Sequence, residues 1–234
     1  VRIGPLVAGN TYRNPALTAK IATTIDHISG GRVVLGIGAG WQENEHNKYD
    51  FDFSTLKGRL DMLDESVEII TSLLAERRTN FEGKHYQIVD APLDPKPIQT
   101  KVPLLIGGGG RKRTLKTTAR FADEWNYWGM PKDIRELCEV LDAHCSDLGR
   151  DPKEISRSAV ALMFISEDEK SLAKLRDRDF GRATIVGTPS EVIEVVAEYE
   201  SHGVNELIVP DFTFGEMSKK KHSMDLFIEK VAPS

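Results

Sequence analysis

The fold class is decided by residues 30–46, which read GGRVVLGIGAGWQENEH. After its first residue the run RVVLGIG is apolar on both faces, and residues 102–108, VPLLIGG, repeat that pattern. Strands buried on both faces, each followed by an amphipathic helix, are typical of a parallel α/β sheet. Residues 56–76 supply such a helix, because their apolar side chains recur at helical spacing. The sequence therefore predicts an α/β fold with a parallel sheet.

Strands and helices alternate outward from these two runs over the whole chain. The predicted strands are about 2–8, 32–37, 103–106, 123–128, 157–165 and 205–210. The predicted helices are about 14–28, 56–76, 111–122, 131–147, 167–178, 188–202 and 215–231. A closed (β/α)8 barrel needs eight such units. We therefore predict a single partial TIM (β/α)8 barrel domain over residues 1–234 with about the first two βα units missing; an open doubly wound sheet is the alternative.

One segment interrupts this alternation. Around Gly83 and Lys84 the side chains alternate in character, which predicts a β-hairpin inserted at about residues 79–90. A proline-rich connection, residues 92–103, follows it. We expect the hairpin to lie between a barrel helix and the next barrel strand.

Composition limits the classes of function. The formal net charge of −5 argues against nucleic acid as a partner, and no apolar run approaches the roughly 18 residues of a membrane span. Cys138 and Cys145 lie on one predicted helix, so we expect reduced thiols and a cytoplasmic protein. The six histidines show no paired ligand spacing, and no metal site is predicted.

The first candidate site is residues 104–123, LLIGGGGRKRTLKTTARFAD. Glycines allow backbone N–H groups to approach an anion, and a helix N-terminus adds a partial positive charge. We expect the helix to begin at once with Arg111, Lys112 and Arg113, whose charges oppose the helix dipole unless an anion compensates them. A phosphate site is the functional interpretation. A tight turn whose glycines only relieve steric crowding is the alternative.

The second candidate is the end of residues 30–46, where Trp41, Asn44, Glu45 and His46 are expected in a loop after spaced glycines. Small residues would let a flat ring lie against the backbone, and Asn44 could bind a cofactor side chain. The alternative is that these glycines serve barrel packing. A third segment, residues 4–15, ends in Arg13 and an expected N-cap at Asn14 followed by Pro15.

Together these segments resemble the luciferase-like oxidoreductase superfamily, in particular its branch that uses the deazaflavin coenzyme F420. The resemblance runs through residues 4–46 and 81–126 and, more loosely, through residues 185–209. It implies a TIM barrel of the bacterial-luciferase-like type, with the cofactor at the C-terminal ends of the strands. It also implies a non-prolyl cis peptide bond between Leu6 and Val7, beneath the ring.

The same resemblance implies which residues bind the cofactor. The nominated cofactor-binding residues are Leu6, Val7, Ala39, Gly40, Asn44, Gly108, Gly109, Gly110 and Arg111. Trp41, Trp125 and Trp128 are expected to form apolar walls for the substrate. Where family members often carry an ionisable residue this chain has Trp41, so Glu45 and His46 are catalytic candidates by position only.

The function implied is hydride transfer between coenzyme F420 and a small organic substrate. An FMN-dependent monooxygenase that uses oxygen is one alternative, and a non-catalytic truncated barrel or fragment is another. The expected partner is a small-molecule substrate rather than nucleic acid or a membrane, and a homodimer is left open.

Overall fold

Parallel strands alternate with helices in a computed structural model that describes residues 1–211 and 215–233. The strands are β1 (Ala8–Gly9), β2 (Leu35–Gly38), β3 (Thr79–Glu82), β4 (Gln87–Ala91), β5 (Leu104–Gly107), β6 (Glu124–Trp128), β7 (Ser156–Val160), β8 (Leu162–Ile165), β9 (Thr184–Gly187) and β10 (Glu206–Ile208). The α-helices are α1 (Pro15–Ser29), α2 (Glu43–Lys48), α3 (Leu56–Ala75), α4 (Thr114–Phe121), α5 (Pro131–Asp147), α6 (Glu169–Arg176), α7 (Pro189–Ser201) and α8 (Met217–Lys230).

The helix starts follow local capping chemistry. Asn14 caps α1 by accepting a hydrogen bond from the amide of Ala16, with Pro15 at the first helical position, as the sequence predicts. At α7, Thr188 and Glu191 form a reciprocal capping box. At α6 the cap is Asp168, whose side chain accepts from the Lys170 amide. Side-chain acceptors at these positions satisfy amides that have no partner inside the helix.

The predicted strand at residues 2–8 is shorter in the structure. Ile3 forms an isolated parallel bridge with Val33, and the regular strand is β1 alone, which pairs with β2. Pro5 lies between them, and a proline has no N–H to donate to the ladder. The bridge therefore does not continue into β1 as one strand.

The predicted strand at residues 157–165 is two strands. β7 pairs in parallel with β10, whereas β8 pairs in parallel with β9, a strand that the sequence did not predict. The change falls at Ala161, whose amide still donates to the Ile208 carbonyl, while the next amide, that of Leu162, donates to Ala183. One apolar run thus serves two sheets.

The residue contacts divide the chain into two units, and the first comprises residues 1–125 and 144–155. Its parallel sheet runs β1, β2, β5 and the beginning of β6. The core of this unit includes buried side chains of α1, α3, β2 and β5, among them Ala19, Ile37, Leu63, Val67, Leu104 and Ile106. β3 and β4 pair antiparallel, from Thr79 opposite Ala91, where the sequence predicts the inserted hairpin.

The second unit comprises residues 126–143 and 156–234. Its sheet runs from the end of β6 through β7 to β10. Fully buried side chains here include Ile134, Leu141 and Tyr199, and the Tyr199 hydroxyl donates to the Gly129 carbonyl at 2.7 Å. Among the described residues, no helix combines the length and the apolar character that crossing a membrane requires.

Candidate functional site

Neighbouring strand ends bring the nominated segments of the first unit together. In the parallel register Gly9 lies opposite Gly38, and Ile37 lies opposite Ile106. The residues that follow β1, β2 and β5 therefore leave the sheet at the same edge. In barrels this C-terminal edge is where active sites are built.

Val7 lies in a space that three glycines leave open. A Cβ atom at Gly38 would lie 2.9 Å from Val7 Cγ2, one at Gly107 would lie 3.0 Å from the same atom, and one at Gly36 would meet the Pro5 carbonyl. Gly36 and Gly38 therefore serve packing, which was the alternative interpretation of the spaced glycines before Trp41, and Gly107 serves packing as well. The bond between Leu6 and Val7 is cis, as the resemblance implies. Leu6 is 45% exposed.

Gly40 forms the turn that leaves β2. Its φ of +81° is a conformation that glycine adopts without the cost of a side chain. A Cβ there would lie 2.7 Å from Thr11 Oγ1, so Thr11 packs directly against this residue. The carbonyl of Gly40 accepts a hydrogen bond from Arg59 Nε at 3.2 Å, and Ala39 and Gly40 remain partly exposed.

His46 lies fully buried behind this turn. The residues after Trp41 form helix α2 rather than the predicted loop. The His46 Nδ1 lies 2.7 Å from the Gln42 carbonyl, and its Nε2 lies 2.6 Å from Thr11 Oγ1. Because both ring nitrogens have partners and no surface is exposed, the structure gives His46 no path to a substrate. Asn44, on the same helix, is exposed.

Glu45 is exposed and paired with a residue outside α2. Its Oε2 accepts a hydrogen bond from the Tyr12 hydroxyl at 2.9 Å, and the Tyr12 ring stacks on His46 with centroids 4.5 Å apart. Burial raises the pKa of Tyr12, and the hydrogen bond and negative charge of Glu45 raise it further. Tyr12 thus keeps its proton at neutral pH and holds Glu45 against the end of β1.

Two side chains fix the glycine turn after β5. Trp125 Nε1 donates to the Gly108 carbonyl at 2.9 Å, and His144 Nε2 lies 2.8 Å from the Arg111 carbonyl. Gly108 has a φ of +124°, which side-chain-bearing residues rarely adopt. A Cβ at Gly110 would lie 2.6 Å from Thr114 Oγ1. Crowding therefore accounts for part of this turn, and Gly109 lies partly exposed within it.

The basic residues of this turn differ from the prediction. Helix α4 begins at Thr114, so Arg111, Lys112 and Arg113 precede the helix and do not occupy its first turn. Arg113 pairs with Asp61 at 2.8 Å and with Asp64, both on α3. These carboxylates compensate its charge, so Arg113 needs no bound anion. Arg111 is exposed and stays a predicted phosphate contact.

The three tryptophans lie in different environments. Trp41 is 70% exposed directly after Gly40, and its role as a substrate wall stays a prediction. Trp125 is fully buried and acts on the Gly108 carbonyl, so its prediction as a substrate wall is corrected. Trp128 belongs to the second unit, where the Arg182 guanidinium lies 4.7 Å from its ring centroid.

Sequence reasoning did not assign roles to Asn10, Thr11 or Arg59. Asn10 follows β1, is 4% exposed, and its amide nitrogen has no hydrogen-bond partner in the part of the chain that the structure describes. Arg59 is 8% exposed, with its guanidinium 3.9 Å from the Phe53 ring centroid. Asn10 and Thr11 lie between a strand and a helix cap, which was the only signal that marked them.

Comparison with known proteins agrees with this architecture. Coenzyme F420 dependent tetrahydromethanopterin reductase from Methanopyrus kandleri superposes with a TM-score of 0.80 at 22% identity, covering 100% of this chain and 83% of the reductase. Monooxygenase RslO1 from Streptomyces bottropensis superposes with a TM-score of 0.83 at 18% identity, covering 100% and 78%. The fold is a TIM barrel of the bacterial-luciferase-like type.

The family follows from the sequence match. The model of the luciferase-like monooxygenase family matches residues 1–180, and the chain belongs to this family. Phthiodiolone/phenolphthiodiolone dimycocerosates ketoreductase of Mycobacterium tuberculosis is 26% identical over 215 residues, covering 91% of this chain and 54% of the ketoreductase. The chain spans about half the length of the curated relatives that it matches.

Proposed function

We propose that this protein is an oxidoreductase that transfers a hydride between coenzyme F420 and a small organic substrate with a carbonyl or hydroxyl group. One observation carries the proposal. The Asn10 segment after β1, the Gly40 turn after β2 and the Gly108–Gly110 turn after β5 leave the sheet at one edge. Val7, directly before β1, packs against Gly38 and Gly107 near that edge. That edge is where TIM barrels hold their ligands.

The residues at this edge fit a flat ring that carries hydrogen-bond acceptors and a phosphate. Asn10 offers a buried amide donor that has no acceptor in the described part of the chain, and an added ligand oxygen would satisfy it. Ala39 and Gly40 present little side chain to a ring. The backbone of Gly108 to Gly110 would approach a phosphate, with Arg111 beside it.

The chain's residues would bind and orient, and the chemistry would come from the cofactor. Bound coenzyme F420 would supply a hydride from C5 of its reduced ring. Leu6 and Val7 would support the cofactor's ring, and Asn44 would bind the cofactor's side chain. Trp41 would shield the substrate from water. The Tyr12 hydroxyl, which donates to Glu45, also lies at this strand end.

Two similarities support the substrate class and the cofactor. The ketoreductase match extends over 91% of the chain, which favours a carbonyl substrate. The similarity of fold to an F420-dependent reductase favours the deazaflavin. The family description and the similarity to monooxygenase RslO1 favour a second candidate, an FMN-dependent monooxygenase that consumes oxygen.

Turnover under anaerobic conditions tests the proposal. Reduced coenzyme F420 and a panel of ketones should yield the oxidised deazaflavin spectrum and the alcohols, without oxygen uptake when air is admitted. Protein-dependent formation of an oxygenated product from reduced FMN, oxygen and a substrate, with no reaction of coenzyme F420, would support the monooxygenase instead.

A matched pair of variants on α2 links turnover to the site. Asn44→Ala should raise the KM for the cofactor about tenfold, the effect of losing roughly 1.4 kcal/mol of binding. Asn47→Ala, an exposed asparagine on the same helix, should leave it unchanged. Equal effects of the two substitutions would remove Asn44 from the cofactor site.

A further inference from the structure

His46 connects three elements that meet at the strand edge. It lies on α2, its Nε2 contacts Thr11 after β1, and Thr11 packs against Gly40 at the end of β2. The imidazole is fully buried. A polar ring with no exposed surface has its position fixed by its partners. Here these are the Gln42 carbonyl, Thr11 Oγ1 and the Tyr12 hydroxyl, whose oxygen lies 3.3 Å from Nδ1.

The partners also fix the ring's tautomer. A carbonyl can only accept, so the hydrogen on His46 lies on Nδ1 and is donated to the Gln42 carbonyl at 2.7 Å. In the neutral imidazole Nε2 is then an acceptor. Thr11 Oγ1, at 2.6 Å, is the donor, and its hydroxyl is thereby held beside Gly40.

Further contacts hold this arrangement from both sides. The Tyr12 ring stacks on His46, and the Phe53 ring lies 4.7 Å away, centroid to centroid. Arg59 reaches over Phe53 to donate to the Gly40 carbonyl. The Gly40 turn is therefore held by Thr11 on one side and by Arg59 on the other.

We propose that His46 is a positioning residue for the cofactor: through Thr11 it fixes the Gly40 turn and α2, and so sets where Ala39, Gly40 and Asn44 meet the cofactor. The inference rests on the proposed function for the identity of that cofactor. It replaces the prediction of His46 as an acid or base with a role that its burial permits.

Thr11→Val is the primary variant because replacing the buried His46 itself could unfold α2. Valine keeps the shape of threonine against Gly40 and removes only the hydroxyl that bonds Nε2. Thr11→Ser is the matched control, because it keeps the hydroxyl. Both are compared with the wild type as the complete protein.

The inference is tested by hydrogen exchange in the cofactor-free protein and by the affinity for the cofactor. Hydrogen exchange of residues 39–48 in the cofactor-free protein should be about tenfold faster in Thr11→Val, as expected for losing one buried hydrogen bond, and within twofold of wild type in Thr11→Ser. The Kd for coenzyme F420 should rise about tenfold in Thr11→Val alone. The KM for cofactor should rise likewise, while kcat at saturating cofactor stays within twofold.

The inference requires that hydrogen exchange and the Kd for the cofactor change together in Thr11→Val. Faster exchange with an unchanged Kd would make the link structural only, and a weaker Kd with unchanged exchange would mean that Thr11 contacts the ligand itself. Either result overturns the inference. A wild-type protein that binds neither coenzyme F420 nor FMN would refute the proposed function, and the exchange data would then decide separately whether His46 and Thr11 order the turn.

Discussion

Val7 and the glycines around it illustrate how single residues set the spacing of the strands. A Cβ at Gly38 or Gly107 would meet Val7 first, whereas one at Gly36 would meet the Pro5 carbonyl at 2.1 Å before Val7 Cγ1 at 3.1 Å. Forcing extra methyl groups into a packed interior costs about 1–3 kcal/mol. The glycine spacing of β2 is therefore explained by neighbours that precede β1.

Gly38→Ala should lower the free energy of unfolding by about 1–3 kcal/mol, because its Cβ would lie 2.9 Å from Val7 Cγ2. Adding Val7→Ala should recover much of that loss. Urea denaturation of the two single variants and the double variant will measure the coupling energy between the two substitutions. Gly36→Ala is the control, since its Cβ would meet the Pro5 carbonyl, a backbone group that Val7→Ala cannot remove. Strict additivity of the Gly38 and Val7 substitutions would contradict this packing account.

Trp125 and Trp41 should respond differently to the same substitution. Trp125→Phe removes the donor to the Gly108 carbonyl and should lower the free energy of unfolding by about 1 kcal/mol. Trp41→Phe, at a largely exposed position, should change it by less than about 0.5 kcal/mol. Thermal or urea unfolding of both variants checks this. Equal losses of stability would argue against a specific role of Trp125 in holding the turn.

Helices α3 and α4 are joined by charge as well as by packing. Arg113 precedes α4 and pairs with Asp61 and Asp64 on α3. The hydrogen bond from Lys57 is the largest cause of the lowered pKa of Asp61, and the bond from Arg113 adds to it. A carboxyl whose folded-state pKa is lowered contributes stability above its unfolded-state pKa and loses it as the pH falls toward the folded value.

Arg113→Gln should therefore lower the urea midpoint at pH 7, and the difference from wild type should shrink as the pH falls below about 4. Urea titrations at pH 7, 5, 4 and 3 measure this. Arg120→Gln is the matched control, because Arg120 also joins α4 to α3 through Glu68 but with both side chains more exposed. A difference between wild type and Arg113→Gln that stays constant down to pH 3 would contradict the ion-pair explanation.

Much of the element order could be predicted from the sequence, since apolar runs and caps are local signals. The runs of β2, β5 and β6 and the caps of α1 and α7 are of this kind. The division of residues 157–165 between β7 and β8 could not be predicted, because it depends on which distant strand each half pairs with. Helix α2 was missed because His46 is stabilised by Thr11 and Tyr12, which lie more than 30 residues away.

The candidate site shows the same limit. The glycine turns could be found by their composition, but the partners that explain them, Val7, Thr114 and Trp125, come from other elements. Arg113 was assigned to a helix start and a phosphate because its compensating carboxylates lie on α3. Residue spacing along the chain indicates where a site lies. Only the packed structure shows which of its residues, such as Arg113, are already paired with other side chains.

All of the nominated cofactor-binding residues belong to the first of the two units. Binding of coenzyme F420 should therefore slow hydrogen exchange most at residues 6–12, 39–46 and 107–114, since a bound ligand stabilises the segments that it contacts. Hydrogen exchange with and without the cofactor measures this. Protection confined to the second unit would contradict the position of the site.

The proposed use of a deazaflavin is tested by titrating the complete protein with coenzyme F420 and, in parallel, with FMN, followed by cofactor fluorescence. We expect coenzyme F420 to bind at least about tenfold more tightly than FMN, a difference of roughly 1.4 kcal/mol. Tighter binding of FMN, with no detectable binding of coenzyme F420, would contradict it.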